Sequence, residues 1–326
     1  MAIANVAATA HVTFFHLRCI AWTPFEKKNA MGKPAPILGI SPQQVLGMQI
    51  ACQRYAKHRN SFFFGVLHMY DVDLNSDLGE SFGPYKIGSD EAMLDLITSA
   101  NVACGFHGGD ASVMHQTAAS ALKRGIDVGA HPGFNDLWGF GRRKITGDSP
   151  QAIGDMIAYQ IAAMQGMARA AGHRVSHVKL HGALATQAFE DRALSEALTW
   201  AMRALDPDLV LVCTPHNETE RAARRAGIRV ACEVFADRLY GDNGLTLPRS
   251  EPGAVIHEPV AAAAHALRMV REQAIRTVGG KVVAMPVHTI CVHGDNPQGV
   301  AIAQAVRDAL LAEGVRLRPI SQLDFQ

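Results

Sequence analysis

The stretch NVACGFHGGD, residues 101–110, places an apolar run directly before a glycine-rich turn and the start of a helix. Asn101, Cys104, His107 and Asp110 stand there among three glycines. Glycines let the backbone turn sharply, and they leave room for a ligand beside His107. A strand, a tight turn and a helix make one βα unit, which is typical of a parallel sheet covered by helices.

The same alternation of short apolar strands and helices continues to the end of the chain. Strands are predicted at 70–75, 100–104, 126–131, 177–182, 209–213, 228–235 and 287–294, with a short last strand at 314–320. Helices are predicted after an N-cap at Ser89, at 111–123, after Ser149 and Pro150, and near 190–205, 217–226, 258–276 and 297–313. This pattern favours an α/β barrel of about seven parallel strands, with a doubly wound open sheet as the alternative.

The first 68 residues lack this alternation of strands and helices, which begins near Asp71. The sequence therefore predicts a single catalytic barrel over residues 69–326. Residues 1–68 are expected to be an extension outside the fold, poorly ordered, with an accessory arm as the alternative.

Composition excludes several classes of function. The formal net charge of +1 gives no global attraction to nucleic acid or to a membrane surface. The six cysteines form no CxxC pair, which indicates reduced thiols. No apolar run approaches the roughly 18 residues of a membrane span. We expect a cytoplasmic protein.

Polar side chains recur at the carboxyl ends of the predicted strands. In a parallel barrel these ends share one rim, where active sites form. The rim candidates are Asp73, Asn75, Asp77, Asn101, Cys104, His107, Asp110, His131, Lys179, His181, His216, Glu233, Asp237, His293 and Asp295. One histidine at a strand end is usually structural, whereas histidines on four strand ends favour a functional site.

The segment HVKLHG, residues 177–182, shows which side chains enter the barrel. Strand residues alternate between two faces, so Val178 and Leu180 suit the helix layer, and Lys179 and His181 point inward. A buried lysine without a partner costs several kcal/mol, so a carboxylate or a ligand must be near. The candidate carboxylates are Asp73, Glu233 and Asp295.

Three other features each allow two interpretations. Cys104 and Cys291 are small buried residues or, less often, nucleophiles. The segment GFGRR, 139–143, is a solvated turn, or its arginines Arg142 and Arg143 bind a carboxylate or phosphate. No GxxxxGK[ST] motif is present, so the chain shows no nucleotide-phosphate loop of its own.

Six pieces of the sequence match one known pattern in order. They are VDLNSDLGES (72–81), ANVACGFHGGD (100–110), VGAHPGFNDLWGFGRR (128–143), VKLHGAL (178–184), EVFADRLYGDNGLTLPR (233–249) and VHGDNP (292–297). On these pieces, the chain from about residue 71 onward resembles the LamB/YcsF family. Leu180 replaces the proline that is usual in that family, and Ala185 and Thr186 replace a Tyr-Asn pair, which changes the loop beside the site.

The resemblance implies a barrel related to glycoside hydrolases and deacetylases. It also implies the A subunit of an ATP-dependent 5-oxoprolinase, working with partner subunits B and C. That enzyme converts 5-oxo-L-proline, ATP and water into L-glutamate, ADP and phosphate. ATP would then be bound on the partners, in agreement with the missing phosphate loop.

Roles can be assigned to the candidates under this resemblance. We expect Lys179 and one of three arginines, Arg142, Arg143 or Arg238, to hold the substrate carboxylate or phosphoryl oxygens. Asn101, Cys104 and Asp110 are further candidates for substrate binding. Either Asp73 or Glu233 is the general base, and His107, His131 or His293 donates to the oxyanion or leaving group. The remaining catalytic candidates are Asn75, His181, Asp237 and Asp295.

Two alternatives stay open at this point. The chain is a stand-alone metal-dependent amidohydrolase or deacetylase, with Asp73, His107 and His131 as metal ligands. Or it is a non-catalytic subunit that presents the substrate to its partners.

Overall fold

The structure, a computed structural model, describes residues 70–294 and 298–325. The expected extension, residues 1–68, and the candidate Asp295 lie outside the described residues. Within the described ranges, no helix has both the length and the apolar character needed to cross a bilayer.

Seven parallel strands close into a barrel. They are β1 (Asp71–Leu78), β2 (Ser99–Ala103), β3 (Asp127–His131), β4 (Val175–Lys179), β5 (Val210–Cys213), β6 (Val230–Phe235) and β9 (Thr289–Cys291). Their order around the ring follows the chain, and β9 pairs with both β6 and β1. The predicted seven-stranded α/β barrel is confirmed, because a ring without free edges is not an open sheet.

Three short strands lie beside this ring. β7 (Ala274–Arg276) and β8 (Val282–Ala284) form an antiparallel hairpin. β10 (Arg316–Leu317) pairs in parallel with the start of β1, which confirms the predicted last strand.

Helices connect the strands and cover the barrel. They are α1 (Asp90–Leu94), α2 (Ala111–Arg124), α3 (Pro150–Ala170), α4 (Gly182–Glu190), α5 (Arg192–Leu205), α6 (Glu218–Arg225), α7 (Pro259–Glu272) and α8 (Gly299–Ala312). The side chain of Ser149 accepts a hydrogen bond from the amide of Ala152 at 3.2 Å, and Pro150 occupies the first turn of α3. The helix start predicted from these two residues is confirmed.

Some local predictions were wrong. Ser89 is the N-cap residue of α1, as predicted, but among the described residues its side chain makes no capping hydrogen bond. The helix expected over 258–276 ends at Glu272, because Gln273 takes a left-handed conformation and the chain continues into β7. β4 ends at Lys179 rather than at 182, and the helix α4 that follows was not predicted.

The barrel separates an apolar outer layer from a polar interior. Val178 and Leu180 belong to the hydrophobic core, as the alternation in HVKLHG predicts. Inside, Nε2 of His177 on β4 meets Oδ1 of Asn101 on β2 at 2.9 Å, although β3 runs between these strands. The contact therefore passes over β3 on the inner side of the barrel. Gly129 on β3 makes it possible, since a Cβ there would lie 2.2 Å from the imidazole of His177.

Gly109 explains one part of the glycine-rich turn after β2. Its backbone has φ +78°, and a Cβ would lie 2.8 Å from the carbonyl oxygens of both Ala103 and Gly79. The turn can thus pack directly against the ends of β1 and β2, which brings the segment carrying His107 onto the rim.

Asp73 lies deeper in the barrel than the rim. Its side chain is fully buried and accepts hydrogen bonds from the hydroxyls of Thr98, Ser99 and Thr289. Burial raises the pKa of Asp73 to about 7, although the three hydroxyls oppose that rise.

This raised pKa predicts a pH dependence of stability. The folded state holds a proton on Asp73 that the unfolded chain releases, so stability should fall as pH rises toward 7. Between pH 5 and 8 we expect the free energy of unfolding to drop by about 2–3 kcal/mol more in the wild type than in Asp73→Asn. Urea unfolding at both pH values measures this difference. Equal pH dependence in the two proteins would contradict it.

Candidate functional site

A cavity of about 170 Å³ opens at the rim formed by the carboxyl ends of the strands. It is smaller than the roughly 300–1,000 Å³ of drug-sized ligand sites, so it suits a small compound. The charged and imidazole side chains that line it are Asp77, Glu80, His131, Arg142, Lys179, His181, Glu233, Arg238, Arg249 and His293.

Lys179, at the end of β4, occupies the centre of this set. Its Nζ lies 2.9 Å from Oδ1 of Asp77 on β1 and 2.8 Å from Oε1 of Glu233 on β6. Burial alone would lower the pKa of Lys179, but the carboxylates of Asp77 and Glu233 raise it well above its ordinary value. Lys179 is therefore a fixed ammonium group rather than a base at neutral pH.

Two asparagines orient these carboxylates from below. Nδ2 of Asn75 donates to Oε1 of Glu233 at 3.2 Å, and Nδ2 of Asn101 donates to Oδ1 of Asp77 at 3.0 Å. Asn101 also donates to Oδ1 of Asn75 at 2.7 Å. The asparagines thus position Asp77 and Glu233, and neither of them lines the cavity.

Three histidines and a glutamate form a second group at one side of the cavity. His107 follows β2, His131 ends β3, His181 precedes α4, and Glu80 follows β1. One ligand atom from each of the four lies within 4.8 Å of the others, and all four residues are buried. We call this group the histidine cluster.

Hydrogen bonds fix the ring orientations in the histidine cluster. Nδ1 of His131 donates to the carbonyl of Lys179 at 2.7 Å, and Nε2 of His181 donates to the carbonyl of Phe140 at 2.8 Å. In a neutral ring the other nitrogen then carries a lone pair. Those two nitrogens, Nε2 of His131 and Nδ1 of His181, face each other at 3.0 Å. Burial lowers the pKa of His181 to about 3, which favours its neutral form.

His107 completes the argument for a ligand at this point. Its side chain is fully buried, and within residues 70–294 and 298–325 neither ring nitrogen has a hydrogen-bond partner. Nε2 of His107 lies 3.6 Å from Oε1 of Glu80, and Nδ1 of His181 lies 3.9 Å from the same oxygen. When four ligand atoms surround a metal ion tetrahedrally, each about 2.1 Å from the ion, they lie about 3.4 Å from one another. The histidine cluster therefore has the donors, spacing and unsatisfied atoms of a divalent metal site.

An Asp–His pair lies on the other side of Lys179. Nδ1 of His293 is 2.9 Å from both carboxylate oxygens of Asp237, and its ring stacks on Phe235 at 5.7 Å. Burial raises the pKa of Asp237, but the charge of His293 and its hydrogen bond outweigh burial, so the net shift is downward. The carboxylate orients the imidazole, whose Nε2 is then available to exchange a proton at the cavity.

Some predicted site residues lie elsewhere. Oδ1 of Asp110 accepts from the amide of Val113 and caps α2, and Sγ of Cys104 bonds the carbonyl of Val102, with its pKa raised to about 12 by burial. Arg143 is bound to Asp136 in an exposed loop. None of these candidates lines the cavity, and neither does Asp73, which the sequence analysis offered as a base and as a metal ligand.

Two cavity residues were missed by the sequence reasoning. Glu80 lies two residues past the end of β1, and Arg249 lies far from any strand end. Both fall inside the quoted pieces VDLNSDLGES and EVFADRLYGDNGLTLPR, which were the available signal. Asp77, named among the rim residues but given no role, turns out to contact both Lys179 and His131.

Comparison with known proteins places this site in a family. The model of the LamB/YcsF family matches residues 72–325, which is most of the chain. The chain belongs to the LamB/YcsF family. The match includes both sides of the cavity, since the ranges that carry the histidine cluster and the Asp–His pair fall within it.

Members of the LamB/YcsF family with assigned names are similar over nearly their whole length. The A subunit of the 5-oxoprolinase of Rhodopseudomonas palustris (strain BisA53) is 47% identical over 254 residues, covering 78% of this chain and 100% of that protein. The protein of the same name from Gluconobacter oxydans (strain 621H) is 48% identical over 250 residues, covering 77% of this chain and 98% of that protein. The lactam utilization protein from Thermus thermophilus is 43% identical in sequence. Its crystal structure matches this fold with a TM-score of 0.73, covering 77% of this chain and 100% of that chain.

The departures from the usual LamB/YcsF sequence lie at the cavity. Leu180, Ala185 and Thr186 all line it, next to His181 and Gly182. Leu180 precedes α4, and Ala185 and Thr186 belong to it, so all three contribute to the cavity wall beside Lys179.

Because the ammonium of Lys179 lies between two carboxylates, we predict that its removal strongly lowers the stability of the fold. Lys179→Met leaves the buried Glu233 and the half-buried Asp77 without their cation, which should lower the free energy of unfolding by about 3–5 kcal/mol. Adding Glu233→Gln should restore part of the loss. Urea unfolding measures both variants, with Lys123→Met on the exposed face of α2 as the control. A loss below about 1 kcal/mol in Lys179→Met would count against the ion-pair arrangement.

Proposed function

We propose that this chain is the A subunit of a 5-oxoprolinase. It opens the lactam ring of 5-oxo-L-proline to give L-glutamate, in a reaction coupled to hydrolysis of ATP to ADP and phosphate. The observation that carries the proposal is the cavity in which Lys179 lies between Asp77 and Glu233 beside an Asp–His pair. The named relatives and their near-complete coverage support it.

Lactam hydrolysis requires that a water oxygen bond to the carbonyl carbon, that the C–N bond break, and that the ring nitrogen take a proton. Glu233 is the general base in this proposal, since its carboxylate lines the cavity and Asp73 does not. Lys179 stabilises the developing oxyanion as a fixed positive charge. His293, held by Asp237, delivers the proton to the leaving nitrogen.

ATP enters through partner proteins in this proposal. A five-membered lactam is a stable amide. Transfer of the γ-phosphoryl group of ATP to its oxygen releases ADP and activates the ring carbon. After water adds and the C–N bond breaks, hydrolysis of the resulting acyl phosphate by a second water releases phosphate and leaves glutamate. The sequence contains no nucleotide-phosphate loop, so we assign ATP binding to subunits B and C, in a cytoplasmic complex.

The direct test is reconstitution with purified B and C subunits, following glutamate formation from 5-oxo-L-proline with and without ATP. We expect activity only with ATP and partners, and a fall in kcat of about 100-fold or more in His293→Asn. His115→Asn, on the exposed face of α2, is the matched control. Glutamate formation by the chain alone without ATP would favour a stand-alone amidohydrolase, and full activity in His293→Asn would favour a non-catalytic binding subunit.

We further propose that the histidine cluster binds a divalent metal ion. Glu80, His107, His131 and His181 would hold it, and a bound ion would supply Lewis-acid chemistry at the cavity wall. Support comes from the converging lone pairs of His131 and His181 and from the unsatisfied nitrogens of His107. Glu80 and His181 replace Asp73 of the ligand set that was expected from the sequence.

Metal binding can be measured without activity. Calorimetric titration with Zn²⁺ or Mn²⁺ should show one site per chain, and His107→Ala and His181→Ala should each weaken it at least about tenfold. Excess metal at about 100 times Kd should raise the free energy of unfolding by about 2.7 kcal/mol in the wild type. His115→Ala serves as the control. If the wild type and all three variants bound the metal with equal affinity, the histidine cluster would not be the metal site.

A further inference from the structure

The cavity is divided by charge into two sides. On one side the ammonium of Lys179 contacts two carboxylates, Asp77 and Glu233, so these three groups together carry a net negative charge and do not attract a carboxylate group. On the other side, Arg238 and Arg249 line the same cavity. An anionic substrate entering this space is attracted to the arginine side and repelled from the carboxylate side.

Arg238 is a buried cation with an incomplete set of hydrogen bonds. Its residue is only 8% exposed, and its Nε has no hydrogen-bond partner among the residues that the structure describes. Its Nη2 donates to the carbonyl of Leu247, which fixes the direction of the guanidinium. A buried N–H without a partner costs about 1–3 kcal/mol, so a ligand acceptor at this place would be stabilised.

The same stretch of chain brings Arg249 beside Arg238. Residues 237–256 fold over the rim, with the amide of Leu247 donating to the carbonyl of Leu239 at 2.9 Å and the amide of Ile256 to that of Asp237 at 2.8 Å. Arg249 follows Leu247 by two residues. Burial lowers the pKa of Arg238, and the charge of Arg249 lowers it further because the two guanidinium groups repel each other, while the carboxylate of Asp237 opposes both effects. An anion between them removes that repulsion.

We infer that Arg238 and Arg249 form the subsite for the carboxylate of the substrate, and so orient its lactam ring toward Lys179 and Glu233. This inference rests on the proposed function. It assigns specificity to the segment 237–256 and separates binding of the carboxylate from the chemistry at the ring. Arg143 is not part of the subsite, because it is bound to Asp136 outside the cavity.

The inference distinguishes two lactams that differ by one group. 5-Oxo-L-proline carries the carboxylate, and 2-pyrrolidinone has the same ring without it. The affinity of the full chain for each, alone and with the B and C subunits present, is measured in the wild type and in Arg249→Gln. We expect the variant to bind 5-oxo-L-proline about tenfold or more weakly, and 2-pyrrolidinone as well as the wild type does.

Two further variants complete the design. Arg238→Lys keeps the charge but loses the planar fork, so it should also weaken binding of 5-oxo-L-proline selectively. Arg192→Gln, an exposed arginine on α5 away from the cavity, should change neither affinity. Thermal unfolding of each variant shows whether a lost affinity comes with a lost fold, and Arg249, being exposed, remains informative if Arg238→Lys does not fold.

The outcomes separate this inference from the proposed function. If the wild type binds both lactams and Arg249→Gln binds both equally well, the carboxylate subsite is wrong and the function stands. If the wild type binds neither lactam under any of these conditions, both fall. If Arg249→Gln leaves 5-oxo-L-proline unaffected but loses affinity for inorganic phosphate, the arginines bind a phosphoryl group, and the carboxylate assignment is overturned.

Discussion

The rest of the site depends on one buried ion group, the ammonium of Lys179 between the carboxylates of Asp77 and Glu233. These three side chains come from β4, β1 and β6, which are not neighbours in the ring. Their charges therefore meet inside the barrel, where water screens them less than it does at the protein surface. The arrangement also explains the asparagine layer beneath, since each carboxylate oxygen shared with Lys179 receives an additional amide donor.

Asp77 extends this ion group to the histidine cluster. One of its oxygens contacts Lys179, and the other lies 3.4 Å from Nε2 of His131. The carbonyl of Lys179 in turn accepts the proton of Nδ1 of His131. The ion group and the histidine cluster thus share Asp77 and the last residue of β4. A change in occupancy of the histidine cluster is expected to alter the electrostatic environment of the ammonium group through these two contacts.

The sequence predicted the fold better than it predicted the depth of each residue in the barrel. Strand and helix alternation was sufficient for the seven-stranded ring, and period two placed Lys179 inside it. The same period places Asp73, Asn75 and Asp77 on one face of β1, but only Asp77 reaches the cavity. The stagger between neighbouring strands sets that depth, and a single sequence contains no record of it. Glu80 was missed because it belongs to the turn after β1, where no periodicity applies.

The position of β9 in the chain has a consequence for biosynthesis. β9 (Thr289–Cys291) is the strand that joins β6 to β1, and His293 follows it after one intervening residue. A nascent chain that lacks residues 289–293 therefore has two unpaired strand edges and an Asp237 with no imidazole beside it. The ring and its reaction chamber can be completed only after these residues, more than 200 positions after β1, have left the ribosome. Until then, the edges of β1 and β6 are open to pairing with another strand.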